Sequence, residues 1–147
     1  MESVLLVATL VLTAGIAVGL QSPMVGALAQ RLGPLEGIFI VHLGGAILSG
    51  IPLLWMAGGN LGNFRAVPWL FLLAGGFGVI VVAAIGFAVP RIGVAPTTVL
   101  LVVGQLLIGT LIDQFGWMGS GVRPLDLGKI IGLGLLMLGA WLVVRPS

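Results

Sequence analysis

The side chains able to do chemistry are few, and none is grouped as a catalyst would need. The 147 residues include one histidine, His42, no cysteine and four carboxylates. Two of those, Glu36 and Asp113, stand far apart, near the ends of long apolar runs. No nucleophile–base pairing or metal-ligand spacing occurs. The glycine-rich stretches lack the strand–loop–helix setting that a phosphate site requires. An enzyme, a metal and a cofactor are therefore not expected. What remains are isolated polar groups inside apolar segments: Gln21, His42 and Gln105. Such groups can bind a small polar solute. They can equally join two membrane helices through a hydrogen bond worth about 1 kcal/mol. Gln21 is followed by Ser22, whose hydroxyl can bond back to its own helix, and by Pro23. A proline lacks the backbone N–H and its ring crowds the carbonyl four residues earlier, here Gly19. A backbone break or hinge is expected at Gly19 and Pro23, with Pro52 as a further point of adjustment. In lipid, the freed groups persist only where protein, water or a cavity satisfies them.

The elements that carry these residues follow from composition. Hydrophobic residues make up 59% of the chain and charged residues 7%, against about 25% charged in soluble domains. Mean hydropathy is +1.29, so a membrane protein is expected. Six basic residues against four acidic ones are spread singly, without the clustering a nucleic-acid footprint needs. Breaks in hydropathy divide the chain into five apolar segments, about 4–29, 35–57, 68–89, 96–116 and 127–144. Each is near the roughly 20 residues of a bilayer crossing. The expected fold is all-α, a single polytopic domain over residues 1–147 with five transmembrane helices. Ala27-Leu28-Ala29 resembles a signal-peptidase site. However, Met1-Glu2-Ser3 carries no positive charge and the apolar run is too long, so a retained first helix is expected. Gln30–Pro34 and Pro90–Gly93 read as tight turns, and Gly58–Arg65 and Gly116–Pro124 as polar, glycine-rich loops. Gly15-x-x-x-Gly19 and Gly128-x-x-x-Gly132 are candidate packing faces.

Five crossings put Arg65, Arg123 and Lys129 on one side of the membrane and Arg31, Arg91 and Arg145 on the other. Orientation follows Lys/Arg asymmetry, and here there is none. Dual topology and antiparallel pairing are therefore expected. Two such copies would form a five-plus-five inverted repeat, making each chain half of a ten-helix transporter. At ~1.5 Å per residue, His42 lies about 10 Å deep, Gln21 about 13 Å and Gln105 about 15 Å. One midplane band results, a substrate-binding site with Pro23 beside it. His42 is a proton carrier or a satisfied structural residue. Glu36 complements a helix dipole in a first turn, whereas Asp113 sits at the disfavoured C-terminal end. Both are candidates for gating or structural ion pairs, and Asp113 calls for a partner among Arg65, Arg123 and Lys129.

The order of motifs resembles the YdcZ-like family of small five-helix bacterial membrane proteins, in the drug/metabolite transporter superfamily with EamA-type carriers. The resemblance covers nearly the whole chain. It rests on Gly19-Leu20-Gln21-Ser22-Pro23, Leu32-Gly33-Pro34, His42-Leu43-Gly44-Gly45, Pro68-Trp69 and Gly75-Gly76-Phe77-Gly78. It continues through Pro90-Arg91-Ile92-Gly93, Gly104-Gln105 and, most specifically, Ile112-Asp113-Gln114-Phe115-Gly116. The resemblance implies a half-size transporter in the bacterial inner membrane. It would complete ten helices as a homodimer or with a paired relative, and export a small molecule. Relatives often carry Asn just after the counterpart of Pro23, where this chain has Met24-Val25-Gly26, leaving Gln21 to supply a polar contact there. The deep helix 1 glutamate of small multidrug-resistance proteins is absent. The expected function is small-molecule secondary transport by an antiparallel dimer. The alternatives are a dual-topology channel and a non-transporting membrane subunit or lipid-handling protein.

Overall fold

The computed structural model describes residues 2–145, and the side chains of Glu2 and Ser3 fall outside the description. Six α-helices follow in order: α1 (Glu2–Leu32), α2 (Pro34–Trp55), the short α3 (Trp69–Leu72), α4 (Ala74–Ile92), α5 (Val94–Phe115) and α6 (Leu127–Val144). Short 3-10 helices occupy Leu61–Ala66 and Trp117–Gly119. Taking α3 and α4 as one span, five helical segments are long and apolar enough to cross a membrane. Helix is what such a sequence must adopt in lipid, where each backbone N–H and C=O needs a partner within its own segment. The chain is an all-α polytopic membrane protein. Its apolar side chains mostly face outward; Val25, Val82, Ile85 and Ala140 are the buried hydrophobic residues among those described.

The expected turns contract to one residue each. Gln30, Arg31 and Leu32 remain helical, and Gly33 alone separates α1 from α2. Its φ of 117° belongs to the region that L side chains rarely adopt. Gly33 closes one helix and opens the next: its N–H donates to the Ala29 carbonyl at 3.2 Å and its carbonyl accepts from Gly37 N–H at 3.1 Å. The Glu36 carboxylate folds back against Gly33, where a Cβ would collide with it. Gly93, with φ 88°, divides α4 from α5 in the same way, and its carbonyl accepts from Thr97 N–H at 3.4 Å. Pro90 stays inside α4. Pro96 falls in the first turn of α5, where its missing N–H has no intrahelical partner to lose.

Neither proline expected to break its helix does so. α1 is continuous through Pro23, because proline deletes only the bond to the Gly19 carbonyl. Beside it the Ser22 hydroxyl donates to the Val18 carbonyl at 2.8 Å. Pro52 lies in the last turn of α2, and its carbonyl still accepts from Met56 N–H at 3.0 Å.

The chain divides into two compact units, one up to Arg91 and one from Ile92. In the first, α1 packs on α2, with Gly37 seated against Leu28 and Ala29. α1 also meets α4 through reciprocal notches. A Cβ on Gly26 would lie 2.9 Å from Val89 Cγ1, and one on Gly86 would lie 3.1 Å from Ala29 Cβ. These two contacts are related by a sequence shift of 60 positions, which carries Gly26 onto Gly86, Ala29 onto Val89 and Gly33 onto Gly93. Burial follows the same shift: Ser22 and Val82, Val25 and Ile85, Gly37 and Thr97 are all buried. In the second unit α5 packs against α6.

Gly33→Ala is expected to destabilise the protein by about 1–3 kcal/mol, the usual cost of forcing a residue into a disfavoured backbone region. Gly44→Ala, with open space at its Cβ position, is expected to be neutral or slightly stabilising. Thermal unfolding of the two variants in detergent checks the contrast.

Candidate functional site

α2 presents His42 to α4. His42 Nδ1 lies 2.8 Å from the Ile38 carbonyl one turn back. A carbonyl only accepts, so Nδ1 carries the hydrogen and Nε2 of the neutral ring is left as an acceptor. Nε2 points to α4, where a Cβ on Gly78 would be 3.1 Å away. The notch at Gly78 is what admits the imidazole. Sequence reasoning placed Gly78 in a motif but gave it no role. Nothing in one sequence marks which of 25 glycines faces a neighbour.

Gln21 precedes the packed part of α1. Ser22 is fully buried and Val25 nearly so, whereas Leu20 and Gln21 are exposed. The side-chain hydrogen bonds within the spans return to the same helix, from Ser22 to Val18, from Ser49 to Gly45 and from Thr110 to Leu106. They leave the Gln21 amide without a partner among the described residues. Gln105, in the second unit, is likewise exposed and unbonded among the described residues. Counted from its elbow glycine, each amide lies twelve residues along its helix (33 − 21 and 105 − 93). That is about 18 Å of helical rise, and His42 is nine residues from Gly33. Near the Gly93 elbow, the Thr97 hydroxyl donates to the Gly93 carbonyl at 2.7 Å. Thr98 Oγ1 is buried without a partner among the described residues.

At the elbow end of the first unit, a cavity of about 410 Å³ lies between the α1–α2 connection and α4, with Gln30, Phe87 and Arg91 in its wall. Arg91 is held down along its own helix. Its Nη1 donates to the Phe87 carbonyl at 2.6 Å, and the guanidinium carbon sits 3.6 Å from the Phe87 ring centre.

Glu36 takes its expected first-turn place, whereas Asp113 lacks its expected ion pair among the described residues. Glu36 lies over Gly33, in the first turn of α2. The basic partner expected for Asp113 is present, but no salt bridge forms among the described residues. Arg123 N–H instead donates to the Asp113 carbonyl at 2.8 Å. Lys129 Nζ donates to the carbonyls of Arg123 and Pro124, at 3.2 and 2.9 Å. The loop backbone competes successfully for the ammonium. The anticipated packing faces are also open within the chain: Gly15, Gly19 and Gly132 have no neighbour within 4 Å of a Cβ position, and Gly128 meets only Asp126.

A family model described as "Putative inner membrane exporter, YdcZ" matches residues 6–142. The chain belongs to this family. The "Inner membrane protein YdcZ" of Escherichia coli is 30% identical over 139 residues, covering 92% of this chain and 93% of that protein. No solved structure matches the chain. Membership in this exporter family, with five apolar helices, makes the chain a multi-pass bacterial inner-membrane protein with a membrane-transport role. The family is one of exporters, not enzymes.

The notch at Gly78 makes a coupled prediction. Gly78→Val should destabilise the protein by about 1–3 kcal/mol through overpacking, and much less in a His42→Ala background. A double-mutant cycle on detergent unfolding measures this. Additive effects would show that the imidazole does not fill the notch.

Proposed function

We propose that the protein is a small-molecule secondary transporter acting as an antiparallel dimer, with Gln21, His42 and Gln105 lining a midplane substrate site. The observation that carries this reading is the pair of exposed amides without partners among the described residues. In hydrocarbon, an amide without a hydrogen bond costs roughly 4–8 kcal/mol. A group about 18 Å along a helix from its end therefore needs water, substrate or a second copy of the chain. A wet, solute-binding cavity meets that need, and inverted-repeat transporters bind substrate at this depth. The exporter family supports transport, and export is the direction we infer. The balanced basic residues support insertion in both orientations. A second, oppositely inserted copy, or a paired relative, would then complete a ten-helix carrier.

The hinge assignment rests on where packing stops. α1 is exposed from Val4 to Leu20 except at the half-buried Gly19, and its first buried side chain is Ser22. Pro23 removes the bond to Gly19 at that seam. The free half of α1 can then bend relative to the half anchored on α4, with Pro52 providing a similar weak point near the end of α2. Glu36 and Asp113, both close to helix ends, are placed as gating groups.

Because the chain has no cysteine, a single introduced thiol tests the site cleanly. Gln21→Cys is expected to react with a membrane-impermeant maleimide, while Leu12→Cys, farther along the exposed half of α1, reacts at least tenfold more slowly. Asn63→Cys in intact cells is expected to label from both faces of the membrane. Protection of Gln21→Cys equal to that of Leu12→Cys would remove the wet site. Labelling of Asn63→Cys from one face alone would remove dual topology.

A further inference from the structure

The C-terminal unit contains a second, independently built cavity. Its volume is about 550 Å³, and it opens between α5, the following loop and α6. The loop is folded back onto the end of α5 by three bonds to consecutive residues. Ser120 Oγ donates to the Ile112 carbonyl at 3.3 Å, Arg123 N–H to the Asp113 carbonyl at 2.8 Å, and Leu125 N–H to Gln114 Oε1 at 2.7 Å. Gly116 permits the fold-back: its φ is 66°, and a Cβ there would lie 2.8 Å from Val122 Cγ2. Asp126 then caps α6 by accepting from Lys129 N–H at 2.8 Å. Together these bonds bring Asp113, Arg123 and Lys129 into one cavity wall.

The wall is amphipathic along its length. Asp113 lies in the last turn of α5, Arg123 in the loop and Lys129 in the first turn of α6, and Leu106 and Leu136 line the cavity deeper in those helices. Each leucine is seven residues from the charge on its helix, Asp113 and Lys129 respectively, or about 10 Å. Gly109 and Gly132 keep the space between the helices open. Lys129 has committed two of its three N–H groups to loop carbonyls. The Asp113 carboxylate and the Arg123 guanidinium remain without an ion-pair partner among the described residues.

We propose that this cavity binds a phospholipid with an ethanolamine headgroup. The lipid ammonium would donate to Asp113 and its phosphate would accept from Arg123 and Lys129. One acyl chain would run between α5 and α6 past Leu106 and Leu136. The charge pattern selects this occupant. An anionic glycerol headgroup brings the same phosphate to the two cations but offers Asp113 only hydroxyls and no cation to balance its charge. A choline headgroup has no N–H to donate. A soluble zwitterion leaves about 10 Å of apolar wall uncovered. The site shares Asp113 with the gating assignment of the transport reading but none of Gln21, His42 and Gln105, and lipid retention is read without transport, so the two readings fail separately.

The test is lipid retention measured by native mass spectrometry. The full chain is offered equal amounts of ethanolamine, glycerol and choline phospholipids with identical acyl chains. The wild type is expected to keep the ethanolamine lipid preferentially. Asp113→Asn is expected to lower that retention about tenfold, as loss of one charge-assisted hydrogen bond does, while raising retention of the glycerol lipid. Arg123→Gln should weaken both. Gly109→Leu should reduce all three lipids without changing their order, which separates groove filling from headgroup recognition. Equal retention of the three headgroups, an Asp113→Asn variant that keeps the wild-type order, or displacement of lipid by free phosphoethanolamine would overturn the proposal.

Discussion

The first unit depends on how closely two helices can approach. Lipid gives no hydrophobic drive for one apolar helix to leave it for another, so association relies on van der Waals contact at short range. Gly26 and Gly86 supply that range reciprocally: each accepts the side chain that the other helix carries three residues further on, Val89 and Ala29. A methyl group on either glycine would press into its neighbour. The buried side chains of the unit, Ser22, Val25, Val82 and Ile85, belong to the same stretches of α1 and α4. Burial is therefore concentrated towards the elbow glycines, while the opposite half of α1 remains open. A unit packed at one end and free at the other is the feature that the proposed hinge in α1 would use.

The five membrane spans were legible because twenty or so apolar residues in lipid have few alternatives to helix. Finer features were not. The sequence Gln30-Arg31-Leu32-Gly33-Pro34 reads as a loop because it combines polar residues with glycine and proline. Yet only Gly33 departs from helix, since Pro34 falls where an N–H is dispensable and Arg31 is tolerated in the last turn. Pro23 reads as a break, but a helix loses one hydrogen bond there and continues. The glycine spacing that identifies a close approach is the same at Gly15 and Gly19 as at a true contact. Which glycines meet a neighbour depends on where the helices cross, which local sequence does not encode. One signal was present and unread: Val25-Gly26 and Arg31-Leu32-Gly33 recur 60 positions later as Ile85-Gly86 and Arg91-Ile92-Gly93, with burial repeating alongside.

The polar residues divide by how fully the chain satisfies them. Ser22, Thr97 and Thr110 return their hydroxyl hydrogens to carbonyls four residues back, and need no other partner. His42 satisfies Nδ1 in the same way and leaves Nε2 facing a glycine notch. The amides of Gln21 and Gln105 have no comparable local solution. Asp113 was expected to be neutralised by a salt bridge. The loop instead secures its backbone carbonyl and leaves the carboxylate without an ion pair among the described residues, beside two cations, a difference that depends on a ten-residue fold-back beyond the reach of sequence pattern.

The central claim, that α1 and α4 cross in contact at Gly26 and Gly86, is tested most directly by disulfide trapping. In this cysteine-free chain, Ala29→Cys combined with Gly86→Cys places two Cβ atoms about 3.1 Å apart, close to the roughly 3.5–4.5 Å span of a disulfide. Mild oxidation in native membranes should convert most of the protein to an intramolecular disulfide. Gly15→Cys with Gly75→Cys, a pair 60 positions apart like Gly26 and Gly86 but open in the structure, should remain reduced. Failure of the first pair to close within a single chain, or equal closure of both pairs, would contradict the crossing on which the account rests.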